Sequence, residues 1–196
     1  LLKCHEEKIE NQINDLDNEA KCSKYYKDMI LSQYIEDKNF IDLFYNSESL
    51  KAAEFKEVFN KYVTDNTISN VGEFKKYVKN QIKFLKFTRA LNKIKNADRG
   101  FTKVEYTPLD NVDHLHRMKF SHDTLLEYSL KIVQKNQILK KIIMDTYPYI
   151  LVDEYQDTDE RIVNLLSSID AYAKGMCVIG FYGDSYQNIY DIGVGK

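Results

Sequence analysis

The sequence predicts an α/β fold, mainly helical at first and built on parallel strands near its end. Three observations carry that expectation. Only two prolines and seven glycines punctuate 196 residues, so long helices can run through the first half. Hydrophobic residues make up 43% and charged residues 30%, which suits a packed core rather than disorder. Two apolar runs late in the chain, 147–152 ended by Asp153-Glu154 and 176–182 ended by Gly183-Asp184, flank a helical pattern. That is the spacing of a βαβ unit.

Residues 4–20 are polar with sparse apolar positions at Ile9, Ile13 and Leu16, as in an exposed helix. Residues 24–46 are richer, with Tyr25, Met29, Ile30, Ile35, Phe40, Ile41 and Phe44 available for packing. Ser49 is positioned to cap a helix running to Val63 and ending at the polar stretch 64–66. The next helix spans about Val71 to Asn96, with Phe74, Tyr77, Val78, Ile82, Leu85 and Leu91 at helical spacing. Lys75, Lys76, Lys79, Lys83 and Lys86 fall largely on its other side. From Gly100 the pattern changes: Phe101, Val104 and Tyr106, then Pro108, then Leu115, Met118 and Phe120, as in two short strands around a loop. One apolar helix is expected from Thr124 to Asp145.

The run Tyr149-Ile150-Leu151-Val152 after Pro148 looks like a buried parallel strand. Asp157 or Thr158 is placed to cap a helix whose apolar face is Ile162, Val163, Leu165, Leu166 and Ile169. Met176 to Tyr182 reads as a second buried strand. A parallel sheet needs more strands than these two.

Composition narrows the function classes. No apolar run approaches the roughly 18 to 20 residues of a membrane span, and the opening Leu1 to Glu7 is too short and acidic for a secretory signal. Three scattered cysteines, Cys4, Cys22 and Cys177, suit a reducing, cytoplasmic setting. The net charge of −2 hides an asymmetry: residues 1–50 hold six lysines against eleven acids, and residues 51–100 hold twelve basic residues against five acids. A polyanion would meet the second block.

The chemistry gathers where the first late strand ends. Asp153 and Glu154 stand at the carboxyl edge of the strand, where ligands sit in open α/β sheets. Nucleotide hydrolysis needs one acid for hydrated Mg²⁺ and another for the attacking water. At the last strand position the chain turns, so both carboxylates can serve one site.

The longer segments are more specific. Asp153-Glu154-Tyr155-Gln156-Asp157-Thr158, followed by Gly183-Asp184-Ser185-Tyr186-Gln187-Asn188-Ile189-Tyr190, resembles motifs II and III of UvrD/Rep-type superfamily 1 DNA helicases. Phe120-Ser121-His122-Asp123-Thr124-Leu125-Leu126 resembles, more loosely, the segment these helicases place one helix before motif II.

The resemblance implies an ATP- and Mg²⁺-dependent enzyme moving on single-stranded or partly duplex DNA, in repair or recombination. By position it makes residues 1–119 a mainly helical accessory subdomain. Residues 120–196 become part of a RecA-like, parallel-sheet P-loop NTPase domain. Asp153 matches the Mg²⁺ ligand, with Glu154 beside it as general base and second metal-facing acid. Gln187 matches the γ-phosphate sensor, and Tyr190 an aromatic touching single-stranded DNA, where stacking is worth roughly 1–3 kcal/mol per base. Gln156 and Asp157 match positions that tie the acid strand to its surroundings. Lys75, Lys76, Lys79 and Lys83 form a candidate DNA track.

Two departures stand out. The family usually has a tryptophan and an arginine soon after the motif III tyrosine, whereas here Asp191 to Lys196 follow and the chain contains no tryptophan. No G-x-x-x-x-G-K-[ST] phosphate loop occurs: with Gly195-Lys196 as its end, the first glycine would fall at Tyr190. The segment alone is therefore expected to lack ATPase activity. A non-catalytic, helicase-like module binding DNA or protein is the alternative. His114 and His116 would share a face if 113–120 were a strand, but no third ligand is evident; Cys4, His5 and Cys22 lack zinc spacing.

Overall fold

The computed structural model describes residues 1–26, 33–63, 68–96, 103–109 and 111–184. Met29, Ile30, the stretch 64–66, Gly100, Phe101 and everything from Ser185 on lie outside the described residues. The elements run α1 (Leu2–Lys21), α2 (Lys38–Asn46), α3 (Ala52–Phe59), α4 (Val71–Asn96), β1 (Glu105–Tyr106), β2 (Lys119–Phe120), α5 (His122–Lys135), α6 (Gln137–Thr146), β3 (Tyr149–Val152), α7 (Glu160–Ala173) and β4 (Val178–Phe181). The chain divides into two compact units, one of residues 2–105 with 112–120, the other of residue 1 with 106–111 and 121–196.

The first unit is helical and has two cores. Around the amino half of α4, Phe40, Phe44, Phe55, Phe59 and Phe74 are fully buried. Phe55 and Phe59 stack with ring centroids 4.5 Å apart, and Phe40 meets Phe59 edge-on at 5.5 Å. Edge-to-face and offset pairs of this kind add about 0.5–1.5 kcal/mol each beyond the area they bury. Around the carboxyl half of α4, Phe87, Ala90 and Ile94 pack with Ile9 and Leu16 of α1 and with Leu115. So α1 is not the exposed helix expected: Cys4, His5, Ile9, Leu16 and Ala20 are buried. Sparse apolar residues at helical spacing still make one stripe, and one stripe is enough to dock a helix. His5 is fully buried, and its Nε2–H donates to the Leu115 carbonyl at 3.0 Å.

The opposite charges of the two sequence blocks meet inside this unit. Lys95 pairs with Glu10 at 2.8 Å, Lys76 with Glu19 at 3.6 Å, and Lys79 with Glu48. The expected cap at Ser49 is not used. Helix α3 starts later, after Lys51, and stops at Phe59 rather than Val63. The strands near 100–120 shrink to two residues each, and a 3-10 turn at Leu115–Arg117 replaces the strand on which His114 and His116 would have shared a face. Met118 closes that turn in the left-handed region, φ 61°.

The second unit holds the βαβ segment. Strands β3 and β4 pair in parallel, Tyr149 opposite Val178 through Val152 opposite Phe181. Helix α7 connects them and packs Leu166, Ile169 and Ala173 against Met144, Cys177 and the inward strand residues Ile150, Val152 and Ile179. The cap of α7 is Asp159, one residue beyond the expected Thr158, because its carboxylate accepts from the Arg161 N–H.

Two further expectations change. The single helix of 124–145 is two helices, broken at Asn136, whose backbone is extended (φ −122°, ψ 100°). Its side-chain amide donates to the Ile132 carbonyl at 2.6 Å, a local bond that competes with continued helix. The strands are not buried on both faces: Tyr149, Leu151 and Val178 are exposed by 72%, 64% and 53%. Strand side chains alternate, and among the described residues a helical layer packs on one face only.

Candidate active site

Both carboxylates identified from the sequence sit at the carboxyl end of β3, where the chain bends sharply. Glu154 adopts the left-handed region, φ 50°, ψ 45°. A non-glycine residue there costs of order 1–3 kcal/mol and persists only where its surroundings hold it. The Asp153 carboxylate accepts from the Glu154 N–H at 2.9 Å. A 3-10 turn, Tyr155–Asp157, follows and leads into α7. Asp153 and Glu154 are solvent-exposed, while Gln156 is only 1% exposed.

The end of β4 is stitched to this bend. The Tyr182 N–H donates to the Val152 carbonyl at 2.8 Å, and the Tyr155 N–H donates to the Tyr182 carbonyl at 2.9 Å. Gln156 joins the two at side-chain level. Its Nε2–H donates to Glu154 Oε2 at 2.6 Å, and its Oε1 accepts from the Asp184 N–H at 3.1 Å. Gly183 is required by proximity: a Cβ there would lie 2.1 Å from Gln156 Oε1 and 2.9 Å from the Tyr155 nitrogen. Tyr155 also meets Phe181 edge-on at 5.2 Å. Beside the site, the Arg161 guanidinium holds the Asp159 carboxyl below the usual carboxylate range.

The donor set is hard and oxygen-based. Among the described residues no three His, Cys, Asp or Glu side chains converge as a metal cage. Mg²⁺ rarely needs one, since it keeps several waters and is held by one or two carboxylates plus the phosphates of its substrate. Asp153 and Glu154 suit that arrangement. Gln187 and Tyr190 lie outside the described residues.

The four lysines of the candidate DNA track are already engaged within their own unit. Lys75 donates to the Glu48 and Leu50 carbonyls at 2.8 and 3.2 Å and lies 4.4 Å over the Phe55 ring. Lys76 and Lys79 pair with Glu19 and Glu48, and Lys83 lies 5.6 Å over the Phe87 ring. Sequence reasoning missed the hydrogen-bond and ion-pair partners because they come from segments 25 or more residues away. It also missed the left-handed Glu154 and the closeness of Gly183 to Gln156. A glycine directly after an apolar strand was the available signal for the latter.

Comparison with known proteins gives the chain a family. A profile of the UvrD/REP helicase N-terminal domain matches residues 2–192, including the helical region that carries no motif of its own. A curated relative, "Gabija protein GajB" of Bacillus cereus (strain HuB5-5), is 39% identical over 211 aligned residues. That alignment covers 100% of this chain and 30% of the relative, so the chain spans under a third of the relative's length. No solved structure gives a significant match.

Proposed function

The chain belongs to the UvrD/REP helicase family, and from that premise we propose that its parent protein hydrolyses Mg-ATP to move along single-stranded or partly duplex DNA. The observation that carries the reading is the latching of the two strand ends. Asp153-Glu154 at the end of β3 and Gly183-Asp184 at the end of β4 are joined through Gln156. An acid pair at one strand end, held against the start of a second motif at its neighbour, is what hydrolysis coupled to a second site requires.

In this reading Asp153 holds Mg²⁺, which when bound supplies charge neutralisation at the phosphates. Glu154, reoriented by its left-handed backbone, accepts the proton of the attacking water. Gln187 contacts the γ-phosphate and Tyr190 stacks on a base. The phosphate loop and the remaining strands of a RecA-like sheet come from elsewhere in the parent. The apolar, exposed Tyr149, Leu151 and Val178 suit a sheet face that is covered by a further layer there. The segment alone, without a phosphate loop, turns over no ATP.

Lys76, Lys79 and Lys83 contact phosphates by exchanging partners. Exposed ion pairs such as Lys76–Glu19 are worth about 0–1 kcal/mol, so DNA displaces them readily. Lys75 contributes mainly positive potential, since its ammonium is bound to two carbonyls.

The test is steady-state ATPase activity of the full-length parent, with and without single-stranded DNA, against its Glu154→Gln variant. DNA-stimulated turnover lost in the variant is expected. A parent that binds DNA without turning over ATP would favour the non-catalytic module instead.

A further inference from the structure

Among the described residues, Gln156 is the buried side chain at the site whose two functional ends both point at site groups. Its amide nitrogen donates to the Glu154 carboxylate at 2.6 Å, and its amide oxygen accepts from the Asp184 N–H at 3.1 Å. The orientation is set by chemistry: flipped, the amide would set oxygen against a carboxylate and N–H against N–H. At 1% exposure no solvent competes for either bond. The backbone frame beneath is fixed by the Tyr182–Val152 and Tyr155–Tyr182 bonds. Only a residue without a side chain at 183 allows the approach, since a Cβ would fall 2.1 Å from the amide oxygen. Glu154 itself is exposed, and its backbone sits in the strained left-handed region. Packing alone would be met by a methionine or leucine; two opposed hydrogen bonds would not.

We propose that Gln156 is a positioning residue. Through its amide it sets the Glu154 carboxylate for catalysis and transmits the position of the Gly183-Asp184 segment to it. Events at motif III therefore reach the general base through one side chain. This rests on the motor reading above, and it adds the element by which that site is regulated.

Two variants of the full-length parent separate the two bonds. Gln156→Glu keeps an oxygen for the Asp184 N–H but faces Glu154 with a second carboxylate. Gln156→Met keeps the volume and loses both bonds. Misplacing a catalytic group through its supporting partner typically lowers turnover by about ten- to a hundredfold.

Both variants should therefore lose at least about tenfold in kcat, with KM for ATP changing less than about threefold. Hydrogen exchange at the Asp184 amide, read without nucleotide, should speed up in Gln156→Met and stay near wild type in Gln156→Glu. Stimulation by single-stranded DNA should collapse in Gln156→Met. Turnover within twofold of wild type in both variants, a loss confined to KM, or identical exchange in the two would overturn the proposal. If the wild-type parent turns over no ATP, the motor reading fails and the catalytic role of Gln156 with it. The exchange contrast then still decides whether the latch exists.

Discussion

Replacing Gly183 by alanine tests how tightly the two strand ends are bound. The added Cβ would sit 2.1 Å from Gln156 Oε1 and 2.9 Å from the Tyr155 nitrogen, both well inside contact distance. The backbone nitrogen is pinned in the Tyr155–Tyr182 bond, so the Gln156 side chain is what yields. Its displacement breaks the charge-assisted bond to Glu154, worth about 1.5–3 kcal/mol, and the bond to the Asp184 N–H, worth about 0.5–1.5 kcal/mol. The local opening free energy should fall by roughly 2 to 4.5 kcal/mol, or about 30- to 2,000-fold in protection. Hydrogen exchange of the 176–184 region in the full-length parent reads this directly, and helices of the other unit, such as α4, should keep wild-type protection. A change under about threefold at the Asp184 amide would refute the steric reasoning and the latch together.

Three other outcomes follow from the helical unit. Phe59→Ala removes a fully buried ring that touches Phe40, Phe55 and Phe74; it should destabilise this unit by about 3–5 kcal/mol, measured by denaturant unfolding, and a loss under 1 kcal/mol would mean the core had collapsed around the gap. Lys75→Glu should destabilise by about 1–3 kcal/mol, since the Glu48 and Leu50 carbonyls lose their donor, whereas Lys76→Glu should stay within about 1 kcal/mol; equal effects would show that the Lys75 bonds carry nothing. Burial lowers the His5 pKa below the ordinary histidine value of about 6.5. Its stabilising contribution is therefore complete above that value and is lost as pH falls from there toward the lower folded value. Unfolding midpoints between pH 7 and 5 should decline more steeply in wild type than in His5→Gln, and parallel declines would count against it.

Much of the fold was legible in sequence because it is local. Helix α4 spans Val71 to Asn96 as its periodicity predicts, and β3, α7 and β4 form the expected parallel unit. Asp153 and Glu154 stand at the end of a strand, as apolar residues followed by acids suggested. Periodicity and strand alternation are properties of neighbouring residues, so they survive without knowledge of the rest of the chain. Tertiary context decided what has no local signature. Helix α1 acquired a buried stripe because α4 was there to receive it. The lysines of α4 found Glu19 and Glu48, far away in sequence. Asn136 broke a helix that its apolar pattern would have continued. The resemblance to motif II implied that Gln156 ties the acid strand to its surroundings, and only the approach of β4 showed which atoms it joins, because hydrogen bonding depends on distances that folding alone sets.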